Sequence, residues 1–193
     1  MTAKKPWWLL PLAFILYACP YESTVPLTPG PSEPVDSTLF GYWYGIVKDG
    51  SDFFGIEALD ITQQSDSVYA ITRYGKAVKG DIILPDTSYF TGFTTIIGEQ
   101  RFMSVEGYVN ISTTRKGRTE TKKVKIYYLS SLERRNDTLR IRTVAEDFTA
   151  RKDFHSPDEL KRVVTDMTLQ HKNIFDDLYS LSYRKIPRPQ PLK

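Results

Sequence analysis

From residue 38 to residue 144 the chain alternates short segments rich in β-branched and aromatic residues with polar turn clusters, the spacing of an all-β meander. Eight strands are read, over 39–48, 55–62, 68–74, 80–84, 88–97, 101–111, 122–130 and 138–144. Their ends fall at clusters such as Asp49-Gly50-Ser51-Asp52, Gln63-Gln64-Ser65-Asp66, Pro85-Asp86, Gly98-Glu99 and Arg134-Arg135-Asn136-Asp137, with a longer turn through 113–120. Short sequential connections favour antiparallel neighbours, and closing the sheet removes its exposed edges. The predicted fold is mainly β, an eight-stranded antiparallel meander or barrel over 37–150. Val124, Ile126 and Tyr128 share one face of their strand while Lys123 and Lys125 share the other, as a half-buried sheet requires. Tyr42 and Tyr44 instead oppose Trp43, and Tyr89 and Phe93 oppose Phe90, so parts of the outer wall call for a cover.

The C-terminal pattern changes period. Ser156-Pro157-Asp158-Glu159 combines an N-cap, a proline at the first helical position and acids in the first turn. Leu160, Val164, Met167, His171, Ile174, Leu178 and Leu181 follow at spacings of four and three, which places one apolar stripe along a helix. Residues 151–185 are accordingly predicted as a helix, or two helices broken near 170–173, packed on the barrel. No strand is read after it, and 186–193 is expected to be a disordered tail. A self-associating seam is the alternative use of the stripe.

At the other end, Lys4 and Lys5 precede an apolar run from Pro6 to Ala18. Thirteen residues make about 20 Å of helix, short of the roughly 30 Å of a bilayer core. The run ends at Leu16-Tyr17-Ala18-Cys19, which resembles the lipobox of bacterial lipoprotein signal peptides. The resemblance implies removal of residues 1–18, acylation of Cys19 and a membrane partner through that lipid. Two or three acyl chains anchor a small domain, whereas one holds only marginally. Pro20, rather than an acid, after the cysteine implies by the same resemblance the outer membrane of the bacterial cell envelope. The Pro-rich stretch that follows, with Pro20, Pro26, Pro29, Pro31 and Pro34, has the composition of an extended, solvated spacer, so 19–36 is expected to be a flexible tether.

Gly41-Tyr42-Trp43 on the first strand, the run of antiparallel strands and the following helix resemble the lipocalins and lipocalin-like bacterial lipoproteins. In that family a tryptophan closes one end of an eight-stranded barrel beneath an arginine from near the last strand, and the interior holds a small apolar ligand. By position Gly41 and Trp43 match the motif, and Arg140 or Arg142 would supply the arginine.

Charge and chemistry narrow the remaining classes. Loss of Lys4 and Lys5, with no acid, lowers the formal charge from +3 to +1, so basicity gives no reason to propose nucleic acid as a partner. Cys19 is the only cysteine, which leaves no disulfide to support the fold. His155 and His171 stand apart from any second ligand at metal spacing. Gly75 and Gly80 have the outer spacing of a phosphate loop, but Asp81-Ile82 stands where its lysine and hydroxyl belong. Glu57, Asp60 and Glu106 are scattered along strands. The expectation is a non-enzymatic protein without a cofactor or metal. Arg115, Lys116, Arg118, Lys122, Lys123 and Lys125 crowd one hairpin, which serves either as an anion-attracting surface or as a solvated edge guarded by lysines. Three roles follow: a carrier of a small apolar ligand, favoured by the 13% aromatic content and the lipocalin resemblance; a module that binds an envelope protein or glycan; and an accessory subunit docked through the C-terminal stripe.

Overall fold

The computed structural model describes residues 21–48, 54–79, 82–115, 118–149 and 153–189. The expected signal peptide at 1–18, Cys19, Lys116, the expected turn at Asp49–Asp52 and residues 190–193 lie outside them. The described residues form nine strands: β1 (Glu22–Ser23), β2 (Gly41–Lys48), β3 (Phe54–Ser65), β4 (Val68–Lys79), β5 (Ile82–Ile97), β6 (Gln100–Arg115), β7 (Arg118–Arg135), β8 (Thr138–Val144) and β9 (Phe175–Ile186). A single α-helix, α1 (Pro157–Leu169), stands between β8 and β9. Strands β2 to β9 pair in sequence, every pair antiparallel, and β9 returns to β2, closing an eight-stranded barrel of the lipocalin-like kind. The short β1 adds to β7 at Tyr127 and Tyr128, beside the stretch of β7 that pairs with β8.

Eight is the expected number, but its membership differs in two places. The expected strands at 80–84 and 88–97 are one strand, β5, which runs through Pro85 opposite Lys76. Proline is tolerated there because β5 meets β6 only from Thr91 onward, so the stretch around Pro85 has a free edge that needs no donor. The eighth barrel strand is β9, in a segment expected to be helical. Helix α1 begins as its sequence predicts, with Ser156 Oγ accepting from the Glu159 amide at 3.3 Å and Pro157 in the first turn. It stops at His171, which adopts φ 53, while the amides of His171 and Lys172 donate back to the carbonyls of Thr168 and Met167 at 3.0 Å each. This left-handed closure satisfies the last carbonyls and turns the chain out of the helix. Only the first part of the stripe therefore packs as a helical face, and Leu181 belongs to a strand.

The segment from 21 to 36, expected as a flexible tether, is instead a strap laid on the outer wall. The Tyr21 amide donates to the Val144 carbonyl at 2.9 Å, and its ring meets Phe148 edge-on at 4.8 Å. The Leu27 amide donates to Ser104 Oγ at 3.2 Å, and the hydroxyls of Thr28 and Thr95 lie 3.1 Å apart. At the end of the strap the Val35 amide bonds the Asp66 carbonyl, the Asp36 amide bonds Tyr69 Oη, and Arg101 donates to the Asp36 carboxylate. The apolar side chains between the prolines supply what the strap buries. Tyr21 and Leu27 are buried with Ile97, Phe102 and Leu129 of the wall and with Leu160 and Val164 of α1. Strap and helix thus cover the wall at Ile97, Phe102 and Leu129 of β5 to β7, and not the positions at Tyr42, Tyr44 and Tyr89 for which a cover was expected. Ile46, Ile56 and Tyr74 on β2 to β4, and Tyr89 on β5 itself, remain exposed.

The tight turns at Asp66-Ser67, Gly98-Glu99 and Asn136-Asp137 close one end of the barrel. Gly98 and Asn136 take φ of 60 and 52, the left-handed conformation that two-residue hairpins require. A 3₁₀ turn, Ser37–Leu39, drops Leu39 into this end, where its carbonyl accepts from Trp43 Nε1 at 2.8 Å. At the opposite end β6 and β7 run on as a hairpin paired as far as Arg115 and Arg118, longer than the sequence pattern suggests.

Candidate functional site

The barrel interior holds a cavity of about 190 Å³. Seven strands line it through residues spaced by two. Strand β3 gives Glu57, Leu59 and Ile61, β4 gives Ile71 and Arg73, and β6 gives Met103 and Val105. Phe90, Ser130, Leu132, Ile141, Thr143, Leu181 and Tyr183 complete it. Below it the core is sealed by Trp43, Tyr69 and Leu139, all fully buried. The lining is therefore mostly aliphatic, with one concentrated polar feature.

That feature is Glu57 with its two donors. Glu57 is 6% exposed, yet both carboxylate oxygens are bonded: Tyr183 Oη donates to Oε1 at 2.5 Å and Arg73 Nε donates to Oε2 at 2.6 Å. Arg73 also reaches Asp86, with Nη1 3.5 Å from Oδ2, and Ser88 Oγ donates to the same oxygen at 3.2 Å. Burial, then the charge and hydrogen bond of Glu57, push the Tyr183 phenol well above the usual tyrosine value, so it stays protonated and donates. Backbone geometry permits the arrangement. Tyr183 pairs with Gly45, and a Cβ at that glycine would lie 2.7 Å from Tyr183 Cδ1. The ring lies over the bare backbone of β2 and reaches Glu57 on β3.

The sequence-derived residues at the closed end fall into place with one exchange. Trp43 is fully buried, as a barrel-closing tryptophan should be. The cation above it is Lys185 of β9, whose Nζ lies 5.3 Å from the ring centroid. Gly41, at φ 133, sits beneath the same side chain, since a Cβ there would meet Lys185 Cε at 2.7 Å. Neither arginine proposed for this position occupies it. Arg140 is exposed on β8, and Arg142 lies over the Phe175 ring at 4.0 Å, with Nη2 3.3 Å from Asn173 Oδ1. Lys185 was hidden from sequence reasoning because its segment carried the continuation of a helical period. A period-two signal was present in Tyr179-Ser180-Leu181-Ser182-Tyr183-Arg184, where apolar and polar residues alternate.

The basic residues do share the long hairpin, but on two faces. Lys123 and Lys125 flank the Tyr108 ring, with Nζ at 4.5 and 5.9 Å from its centroid, and Lys125 bonds Glu106 at 2.9 Å. Burial alone would raise the Glu106 carboxyl, but hydrogen bonds from Lys125 and Tyr108 outweigh it and hold the group below its usual value. Lys122 pairs with Ile111, in the alternate register, with Arg115 and Arg118 at the tip. Part of the apparent charge excess is thus spent within the hairpin.

A wider groove of about 720 Å³ runs between the β5–β6 turn and the C-terminal end of α1, lined by Glu99, Arg101, Glu133, Arg142 and Lys172 among others. Its charges are mixed in sign, and it lacks the predominantly apolar wall of the barrel cavity. Among the described residues no group of three or more His, Cys, Asp or Glu is arranged to hold a metal ion, and no helix is long and apolar enough to cross a membrane. No family model matches the chain, and no curated protein or solved structure matches it.

Proposed function

We propose that this protein is an envelope lipoprotein whose barrel binds a small apolar ligand in its interior. The observation that carries the ligand reading is the cavity itself, walled mostly by aliphatic side chains from seven of the eight barrel strands, with its charged groups gathered at Glu57 and Arg73 beside Tyr183. Apolar walls with a few convergent polar groups are the general form of a small-molecule site. Its volume sets the scale of the guest. An apolar cavity of about 150 Å³ admits benzene, so about 190 Å³ suits a single ring or a short alkyl chain rather than a long acyl chain. Native mass spectrometry of the purified full-length protein tests this reading. A copurified or added small apolar molecule should appear as a mass increment that Val105→Trp, which fills the cavity, removes. A persistent increment in that variant would place the ligand elsewhere, and no increment with any added alkylbenzene would remove the carrier role.

The anchor is a second part of the proposal, and it rests on Leu16-Tyr17-Ala18-Cys19. Metabolic labelling with an alkyne palmitate should mark the wild-type protein and leave Cys19→Ser unmarked. Docking through the C-terminal stripe has less support, because Leu160 and Val164 of that stripe are buried in the protein's own core.

A further inference from the structure

The cavity presents a positively charged group and a phenol, the usual pair for holding a ligand acid, but the protein has filled that cradle itself. Glu57 lies between Arg73 and Tyr183 at 2.6 and 2.5 Å and takes one donor on each oxygen. Among the described residues, the other carboxylate within reach of the guanidinium is Asp86, at 3.5 Å. Glu57, Arg73 and Asp86 together carry one net negative charge, with Glu57 and Arg73 on the cavity wall and Asp86 beside the guanidinium, outside the lining. A ligand carboxylate entering here would meet the buried Glu57 carboxylate, and like charges brought together beside a buried group repel. An ammonium or a hydroxyl meets the opposite situation, since each carboxylate oxygen of Glu57 retains acceptor capacity beyond the single bond it makes.

We propose that Glu57 is a built-in counter-ion that sets ligand specificity: the cavity takes small apolar amines in preference to alcohols, and excludes the corresponding acids. This rests on the reading of the cavity as a ligand site and deepens it from shape to charge. The selection has two physical parts. Long-range attraction from the net negative charge favours the cation, and the prior occupation of Arg73 and Tyr183 removes the donors an acid would need.

The test uses three ligands of one shape, phenethylamine, 2-phenylethanol and phenylacetate, titrated calorimetrically into the full-length protein at neutral pH, with ethylbenzene as the apolar reference. Each is of about ten non-hydrogen atoms or fewer, in keeping with the cavity. The expected order is amine, then alcohol, with the acid weaker than the alcohol by more than about tenfold. Glu57→Gln keeps the shape and vacates the charge. In that variant the acid-to-amine affinity ratio should rise by about tenfold or more, because the negative charge that Arg73 faces in the cavity is gone. If the variant fails to fold, the ranking in the wild-type protein decides the matter alone. Phenylacetate binding the wild-type protein as tightly as 2-phenylethanol would overturn the selectivity while leaving the cavity reading intact. Failure of ethylbenzene and 2-phenylethanol to bind at all would overturn both.

Discussion

Tyr183 packs its ring directly over the backbone of Gly45, and the fit fixes where its phenol meets Glu57. The two residues come from the last barrel strand and the first, so the contact also helps to close the sheet. Gly45→Ala would set a methyl group 2.7 Å from Tyr183 Cδ1. Overpacking of this kind costs about 1–3 kcal/mol, which a urea titration would read as a lower midpoint at unchanged slope. Tyr183→Phe keeps the ring and removes the donor from a buried carboxylate, and should cost a similar amount, about 1–3 kcal/mol. The two losses should be less than additive in the double variant, because both act on one contact.

At the closed end the roles of Lys185 and Arg140 are separable. Lys185→Ala removes the cation above Trp43 and should destabilise the barrel by about 0.5–1 kcal/mol, with a change in tryptophan emission. Arg140→Ala, on an exposed position, should leave both stability and emission within measurement error. The reverse ranking would restore the arginine to the place first expected for it.

The strap should contribute measurably to stability. Leu27, 1% exposed between the strap and the wall, should cost about 2–5 kcal/mol when replaced by alanine. A loose spacer would make the same substitution silent in thermal unfolding. Limited proteolysis should likewise cut the strap of Leu27→Ala before that of the wild-type protein.

Asp36 ties the end of the strap to Arg101 and caps the turn that follows. Burial would raise its carboxyl, but hydrogen bonds from Thr38 and Arg101, together with the Arg101 charge, outweigh it and hold the group below its usual value. A lowered folded value means that the stabilisation is fully present above the ordinary aspartate value of 3.8 and disappears as pH falls through the lowered one. Asp36→Asn should therefore be less stable than the wild-type protein at neutral pH, by about 1 kcal/mol, and the difference should close in acid. Unfolding curves of the two proteins that stay parallel down to the most acidic folded condition would contradict this.

If Cys19 is acylated, the ordered strap leaves Pro20 as the only residue between the lipid and the fixed Tyr21. The barrel would then stand against the headgroups. A flexible insertion of about ten residues after Pro20 adds reach of some 15–20 Å as a random coil. It should lower energy transfer from a dye on the barrel to a labelled bilayer. Equal transfer in both forms would show that the natural strap already detaches.

Much of this molecule follows from local pattern. Val124, Ile126 and Tyr128 face inward and Lys125 outward because a strand has a period of two, whatever it pairs with, and Ser156-Pro157-Asp158-Glu159 starts a helix because capping is settled within one turn. The antiparallel pairing of sequential strands was legible on the same grounds, although β5 reads as two strands, and the role given to Trp43 comes from a family resemblance instead. Other features belong to no local window. Leu178 and Leu181 fit a helical stripe as readily as a strand, and the vacant position between β2 and β8, reached after the chain turns at His171, made the segment a strand. Prolines at 20–34 specify extended chain, but whether such a chain floats or lies down depends on an apolar wall built from Ile97, Phe102 and Leu129, far away in sequence. The candidate site is the strongest case, since Glu57, Arg73 and Tyr183 are ordinary strand residues 16 and 126 positions apart from the glutamate. Hydrophobic period and capping are short-range and survive in a string of letters. Pairing of a final strand, docking of a strap and convergence of three side chains are decided by which surfaces are left to be covered, and only the closed barrel defines those.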